Sequence, residues 1–240
     1  MRDGRPSRTI LALLLAVLLA LLLPLPRWGR TAETFTRLPE QTLILDPGHG
    51  GEDGGAVSAS GASESGINLA IALDTDQLMG FFGVRTILTR SEDVSIHDAG
   101  ARSLREKKVS DLHNRVALIN GTENATLISI HQNAAPDGRY HGAHVFYGDE
   151  VLSRPLAQAV QRGIRTSLDP DNDRQPQRIA QSIYLMNHIS CRAILVECGF
   201  LSNPEEERLL RDMTYQKKLA MILTAGYLTQ GDTQEGESLI

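Results

Sequence analysis

Leu43-Ile44-Leu45 runs straight into Asp46-Pro47-Gly48-His49-Gly50-Gly51, and this junction constrains the fold more than any other stretch. A short apolar run bounded by Pro and Gly reads as a strand buried on both faces. Pro47 stiffens the chain beyond it, and the glycines clear side chains from around one imidazole. The strand therefore ends by presenting His49 in a fixed place. Such a turn suits a metal, a proton transfer or a cradled anion.

At 240 residues the chain is long enough for one full-sized core. Apolar runs at Thr42–Asp46, Val84–Leu88, Thr126–Ile130, Gly142–Tyr147 and Ala193–Glu197 predict strands. Between them, helical spacing runs from Glu64 to the stop at Gly80 and Gly83, from Ser110 or Asp111 to Asn120-Gly121, and over Val151–Leu168. Asn203-Pro204-Glu205-Glu206 is a helix start with a cap acceptor, Pro at the first position and acids at the positive end of the dipole. A last helix is expected over Tyr215–Leu228, and a short strand before His188. Arg90–Ser110 reads as a loop of about twenty residues, a length that in a compact domain is usually functional or mobile. The alternation predicts an α/β domain over 42–230, with a twisted, mostly parallel or mixed sheet flanked by helices on both faces.

Ahead of this domain, Arg2, Arg5 and Arg8 precede an uninterrupted apolar run from Ile10 to Leu23, followed by Pro24 and Pro26. A basic flank before a Leu/Ala core reads as an export signal over 1–26, either an uncleaved anchor or a cleaved peptide. Both place the domain outside the cytoplasmic membrane, and the anchor would hold it there. Residues 27–41 read as a linker and 231–240 as a polar tail. A net charge of -5 provides no basic footprint for nucleic acid. Cys191 and Cys198 form neither a disulfide framework nor a CxxC pattern, and read as small apolar residues.

Three of the strands end in an ionisable residue: His49, then His131 after Leu127–Ile130, then Glu197 after Ala193–Val196. Glu64 opens the helix after the first strand, on the same side of the sheet as His49. Ligands of open α/β sheets bind outside the carboxyl ends of the strands, so four potential ligands or bases meet at one edge. Two His and one carboxylate with an open fourth position is a common donor set of a hydrolytic zinc. A second carboxylate is then free to move a proton. There is no HExxH helix, which leaves a zincin protease without support.

Together these residues resemble the zinc-dependent N-acetylmuramoyl-L-alanine amidases, the amidase-3 family. The matching pieces are Leu45 to Gly51 with Asp53-Gly54-Gly55, Glu64 to Leu69, Thr89-Arg90, Arg115 to Asn120, Ser129 to Ala134, and Leu195 to Asn203. The resemblance covers about Thr42 to Leu228. It implies a single catalytic domain that binds one zinc ion and cuts the amide between N-acetylmuramic acid and L-alanine in peptidoglycan. Carried over by position, His49, Glu64 and His131 would be the zinc ligands. Glu197 would be the catalytic carboxylate that deprotonates water and then protonates the departing amine. Asn133 is a candidate substrate-binding residue.

Within the family the likeness is greatest to the sporulation amidases that prepare spore-cortex peptidoglycan. It rests on length, the N-terminal apolar segment, and the basic run Arg105 to Leu112 before the second expected helix. That likeness implies stem-peptide removal ahead of a partner deacetylase that completes muramic-δ-lactam, and it allows for an activating protein partner. Two features depart from the family. Ser65-Gly66 stand where a charged pair is usual, and the eight residues between Asn133 and Gly142 leave no room for the inhibitory helix of some division-associated relatives. The rival readings are a non-catalytic peptidoglycan-binding or regulatory domain on the same fold, and another zinc peptidase. His97 and His113 read as surface residues, His141 and His144 as non-ligands, and the basic run as a solvated face. His188 stays open.

Overall fold

In the computed structural model, which describes residues 41–229, six strands form one sheet. They are β1 (Thr42–Pro47), β2 (Arg85–Leu88), β3 (Ala125–Asn133), β4 (His144–Tyr147), β5 (Gln177–Arg178) and β6 (Arg192–Phe200). Their order across the sheet is β2-β1-β3-β6-β4-β5. Every neighbouring pair is parallel except β4 against β6, which makes the sheet mixed. The expected signal segment, the linker up to residue 40 and the polar tail lie outside the described residues. Among those described, no helix is long and apolar enough to cross a membrane.

The described residues also form six helices, four between strands and two after β6: α1 (Glu64–Phe81), α2 (Leu104–Asn120), α3 (Arg154–Ser167), α4 (Tyr184–Asn187), α5 (Pro204–Leu210) and α6 (Met213–Thr229). Strand side chains alternate between faces, and each face has its own core. Leu43, Leu45, Ile128, Ile130, Ile194 and Val196 pack under α1, α3 and α6. Ile44, Leu127, Ala193 and Leu195 pack under α2 and α4. Because the central strands are buried on both sides, they read as continuous apolar runs.

The structure departs from expectation in several places. α2 begins at Leu104 rather than near Ser110, because Ser103 and Glu106 form a capping box that satisfies two end donors reciprocally. The basic run Arg105 to Lys108 is thus the first turn of α2, and the preceding loop is correspondingly shorter. β3 and β6 both run past their expected ends, which puts His131 and Glu197 inside the ladder, directly opposite one another. His188 follows the short helix α4 instead of a strand, its Nδ1 lying 2.8 Å from the Tyr184 carbonyl. The helix expected from Val151 starts at Arg154, since Asp149 Oδ1 accepts from the backbone N–H groups of Val151 and Leu152 in a turn ahead of it. The segment Asp169–Arg178 carries β5, too short to show a period in sequence. Asn203 caps α5 as expected, accepting from the N–H groups of Glu205 and Glu206.

Candidate active site

β1 delivers His49 through a turn that admits few alternatives. His49 itself has φ +62°, in the left-handed region. A Cβ on Gly48 would overlap the His131 imidazole. On Gly55, at φ +68°, it would come within 2.5 Å of Glu64 Oε2 and 2.7 Å of His49 Cδ2. Glycine at these two positions lets the turn close onto Glu64 and His131. Two buried arginines then hold its carbonyls. Arg90 donates to Pro47 O, Gly48 O and Ser65 O at 2.8 to 3.0 Å. Arg115 donates to Pro47 O at 3.0 Å and His49 O at 2.8 Å.

Beneath the turn, Asp46 is buried and accepts from Thr89 Oγ1 at 2.7 Å, Ser129 Oγ at 2.8 Å and Arg115. Burial alone would push the Asp46 carboxyl up; the Arg115 guanidinium and the Thr89 and Ser129 hydroxyls outweigh it and hold the group below its ordinary value. Arg115 is also bonded to Asp111 Oδ2 at 2.6 Å, which ties α2 to β1. Burial works against its cation, but the charges of Asp46 and Asp111 raise it well above the ordinary arginine value.

Glu64 sits at the first position of α1 and is only 3% exposed. Its Oε1 lies 2.9 Å from His131 Nδ1 and 3.4 Å from His49 Nε2, and accepts from Gln132 N at 3.0 Å and Asn68 Nδ2 at 3.3 Å. Oε2 accepts from Ala56 N at 2.8 Å. One donor atom from each of His49, Glu64 and His131 lies within 4.8 Å of the others, the one such group of three among the described residues. The two rings meet edge to face, with centroids 5.1 Å apart.

The electrostatics favour positive charge beside Glu64. Burial pushes the His49 imidazole down, yet hydrogen bonds to Glu64 and Asp53 and their charges raise it to about 9. Burial pushes Glu64 up, but His131 and His49 hold it well below the ordinary carboxylate range. A site that stabilises positive charge beside one buried carboxylate also fits a divalent metal. Two nitrogens and one oxygen make the borderline donor set that zinc prefers.

Glu197 stands across the ladder from His131. Its Oε2 is buried and has no hydrogen-bond partner. Burial raises its carboxyl to about 7; Glu64 adds to the rise, while His131 and His49 oppose it. A carboxyl poised near neutrality beside a donor cluster has the value general acid–base work requires. Asn133 closes β3 two residues beyond His131, and its carbonyl accepts from Leu201 N at 2.8 Å.

All four principal candidates therefore converge. His144 pairs in register with Glu197 but lies outside the donor group, its Nε2 placed 2.9 Å from Gln175 O. His97, His113, His141 and His188 also lie outside it. The supporting residues Asp46, Asp53, Arg90 and Arg115 all fall within the stretches that carry the family resemblance, but nothing local in the sequence showed what each would hold.

A family model described as N-acetylmuramoyl-L-alanine amidase matches residues 43–227. The germination-specific N-acetylmuramoyl-L-alanine amidase of Bacillus subtilis is 37% identical over 192 residues, 80% of this chain and 80% of its own length. The AmiA amidase of Escherichia coli is 25% identical, over 79% of this chain and 76% of its own. Among solved structures, the CwlD amidase of Clostridioides difficile, in complex with the GerS lipoprotein, superposes with a TM-score of 0.77 at 36% identity. It covers 80% of this chain and 99% of that one. An N-acetylmuramoyl-L-alanine amidase from Clostridium difficile 630 gives 0.69 at 29% identity, covering 81% and 98%.

Proposed function

This chain belongs to the amidase-3 family of N-acetylmuramoyl-L-alanine amidases, and on that premise we propose how its own residues carry out the reaction. His49, Glu64 and His131 hold one zinc ion. Zinc in that place supplies Lewis acidity, polarising a carbonyl oxygen and making water nucleophilic near neutral pH. Glu197 takes the proton of the attacking water and passes it to the nitrogen of L-alanine as the carbon–nitrogen bond breaks. Burial that raises its carboxyl above the ordinary carboxylate value suits it to both halves of that task. Asn133, at the rim beyond His131, orients the substrate. The observation that carries this reading is the buried, unpartnered Oε2 of Glu197, on the residue paired in register with the donor His131.

The same likeness supports a biological setting. With a germination-specific amidase among its relatives, the enzyme strips stem peptides from spore-cortex peptidoglycan, and a deacetylase then completes muramic-δ-lactam. A related amidase was solved with a lipoprotein bound, which supports an activating protein partner here. The basic and apolar N-terminal segment supports export and retention at the membrane. The test is chelation. Treating the purified full chain with a chelator abolishes stem-peptide release, and adding zinc restores it in the wild type but not in His49→Ala. Release that persists after the metal is stripped would sink the zinc assignment. In spores made without this enzyme, cortex digests lack muramic-δ-lactam; normal lactam content would sink the cortex assignment.

A further inference from the structure

The side of His49 turned away from Glu64 is also occupied. Its Nδ1 donates to Asp53 Oδ2 at 2.9 Å, and Asp53 Oδ1 receives Lys108 Nζ at 2.8 Å. Asp53 is itself pinned by a two-way backbone pair with Gly50, at 2.8 and 3.2 Å. The Asp53 side chain is 23% exposed and that of Lys108 47%. An ion pair this open contributes little to stability. It does have geometric consequences, because each carboxylate oxygen has a single strong partner, one on α2 and one on the imidazole. The neighbouring pair, Lys107 Nζ to Glu52 Oε1 at 2.5 Å, docks the same helical turn onto the same loop without touching a donor. Both lysines belong to the run that read in sequence as a solvated face.

We propose that Asp53 and Lys108 are positioning residues for the metal centre. Asp53 fixes the tautomer and tilt of His49, so that Nε2 carries the lone pair facing Glu64, and Lys108 fixes Asp53. The inference rests on the zinc reading of His49, Glu64 and His131. A carboxylate behind a metal-bound imidazole orients the ring and strengthens it as a donor, and losing such a partner typically costs about 10–100-fold in metal affinity. Here the carboxylate is in turn held by a cation from another element, so the first turn of α2 becomes part of the metal site's support.

The test measures zinc affinity of the full chain by competition with a chromophoric chelator, with the visible spectrum of the cobalt(II) form as a second readout. Asp53→Asn keeps the shape and an acceptor oxygen but removes the charge. It lowers zinc affinity by about 100-fold, and Lys108→Met lowers it by about 10-fold. Added to Asp53→Asn, Lys108→Met costs less than about twofold more, because the two act through one contact. Lys107→Met removes the same charge from the same turn and leaves affinity and cobalt spectrum at wild-type values. Metal-free samples of all four variants unfold with the wild type. If Asp53→Asn or Lys108→Met binds zinc like the wild type, or if Lys107→Met matches Lys108→Met, the proposal falls while the zinc reading stands. If the wild type binds no zinc, or His49→Ala binds it as well as the wild type, both fall together.

Discussion

Replacing Arg115 with Met tests whether the buried cation organises the ligand turn. The side chain is 2% exposed and bonds to Asp46, Asp111, Pro47 O and His49 O. Removing one partner of a buried ion pair costs about 3–5 kcal/mol, because the other charge is left without compensation. The low end applies here. Asp46 keeps Thr89 and Ser129, Asp111 keeps Ser95 and Ile96 N, and Pro47 O keeps Arg90, so what is lost is the cation facing the Asp46 and Asp111 charges and the donor to the His49 carbonyl. A loss of about 3 kcal/mol in a domain of this size corresponds to a midpoint lower by about 6–12 °C. The acid side should change as well. Asp46 titrates below its unfolded value, so its contribution is complete above about pH 4 and disappears as pH falls through the folded value. Without Arg115 the folded value rises, and acid unfolding moves to higher pH. Circular dichroism of metal-free protein, scanned in temperature at pH 7 and then in pH at fixed temperature, measures both. A midpoint within about 2 °C of wild type, or an unmoved acid limb, would show that Arg115 does not hold Asp46 and the ligand turn in place.

The remaining predictions concern the donors and Glu197. Gly48→Ala drives a methyl group into the His131 ring, and Asn68 and Arg90 hold the Gly48 carbonyl so the turn cannot retreat. Calorimetric titration should show zinc binding lost with the fold intact; wild-type binding would show that the turn is looser than described. Glu197 titrates near 7 in the fold, above its unfolded value, so it destabilises metal-free protein increasingly as pH rises from about 4.3 towards 7. Metal-free Glu197→Gln should therefore exceed wild type in urea stability at pH 8 and match it at pH 4. A difference independent of pH would place the carboxyl in a different environment.

Much of this architecture was readable because its signals are local. Each central strand is a continuous apolar run, and His49, His131 and Glu197 sit where those runs give way to polar residues. Parallel pairing of β1, β3 and β6 then brings the three together without further information. The Asn203-Pro204 helix start was equally local. What could not be read depended on contacts between distant residues. Asp53 and Lys108 are 55 positions apart, and Arg115 meets Asp46 across 69. The start of α2 was misplaced because its first turn is almost wholly charged and carries no apolar period. The signal there was Ser103 followed three residues later by Glu106, a capping box obscured by polar surroundings. β5, at two residues, has no period to detect.

On the proposed reading, Glu197 moves the proton in hydrolysis of the muramoyl–alanine amide at a metal held by His49, Glu64 and His131. Mass spectrometry of peptidoglycan fragments incubated with the zinc-loaded full chain, alongside Glu197→Gln, tests it most directly. Free stem peptides and peptide-free glycans are expected from the wild type. For Glu197→Gln, with zinc content unchanged, release should fall by about 10²–10⁴-fold, the ordinary worth of a general acid–base group. Release by Glu197→Gln within a few-fold of wild type, or cleavage at a bond other than the one joining muramic acid to L-alanine, would contradict it.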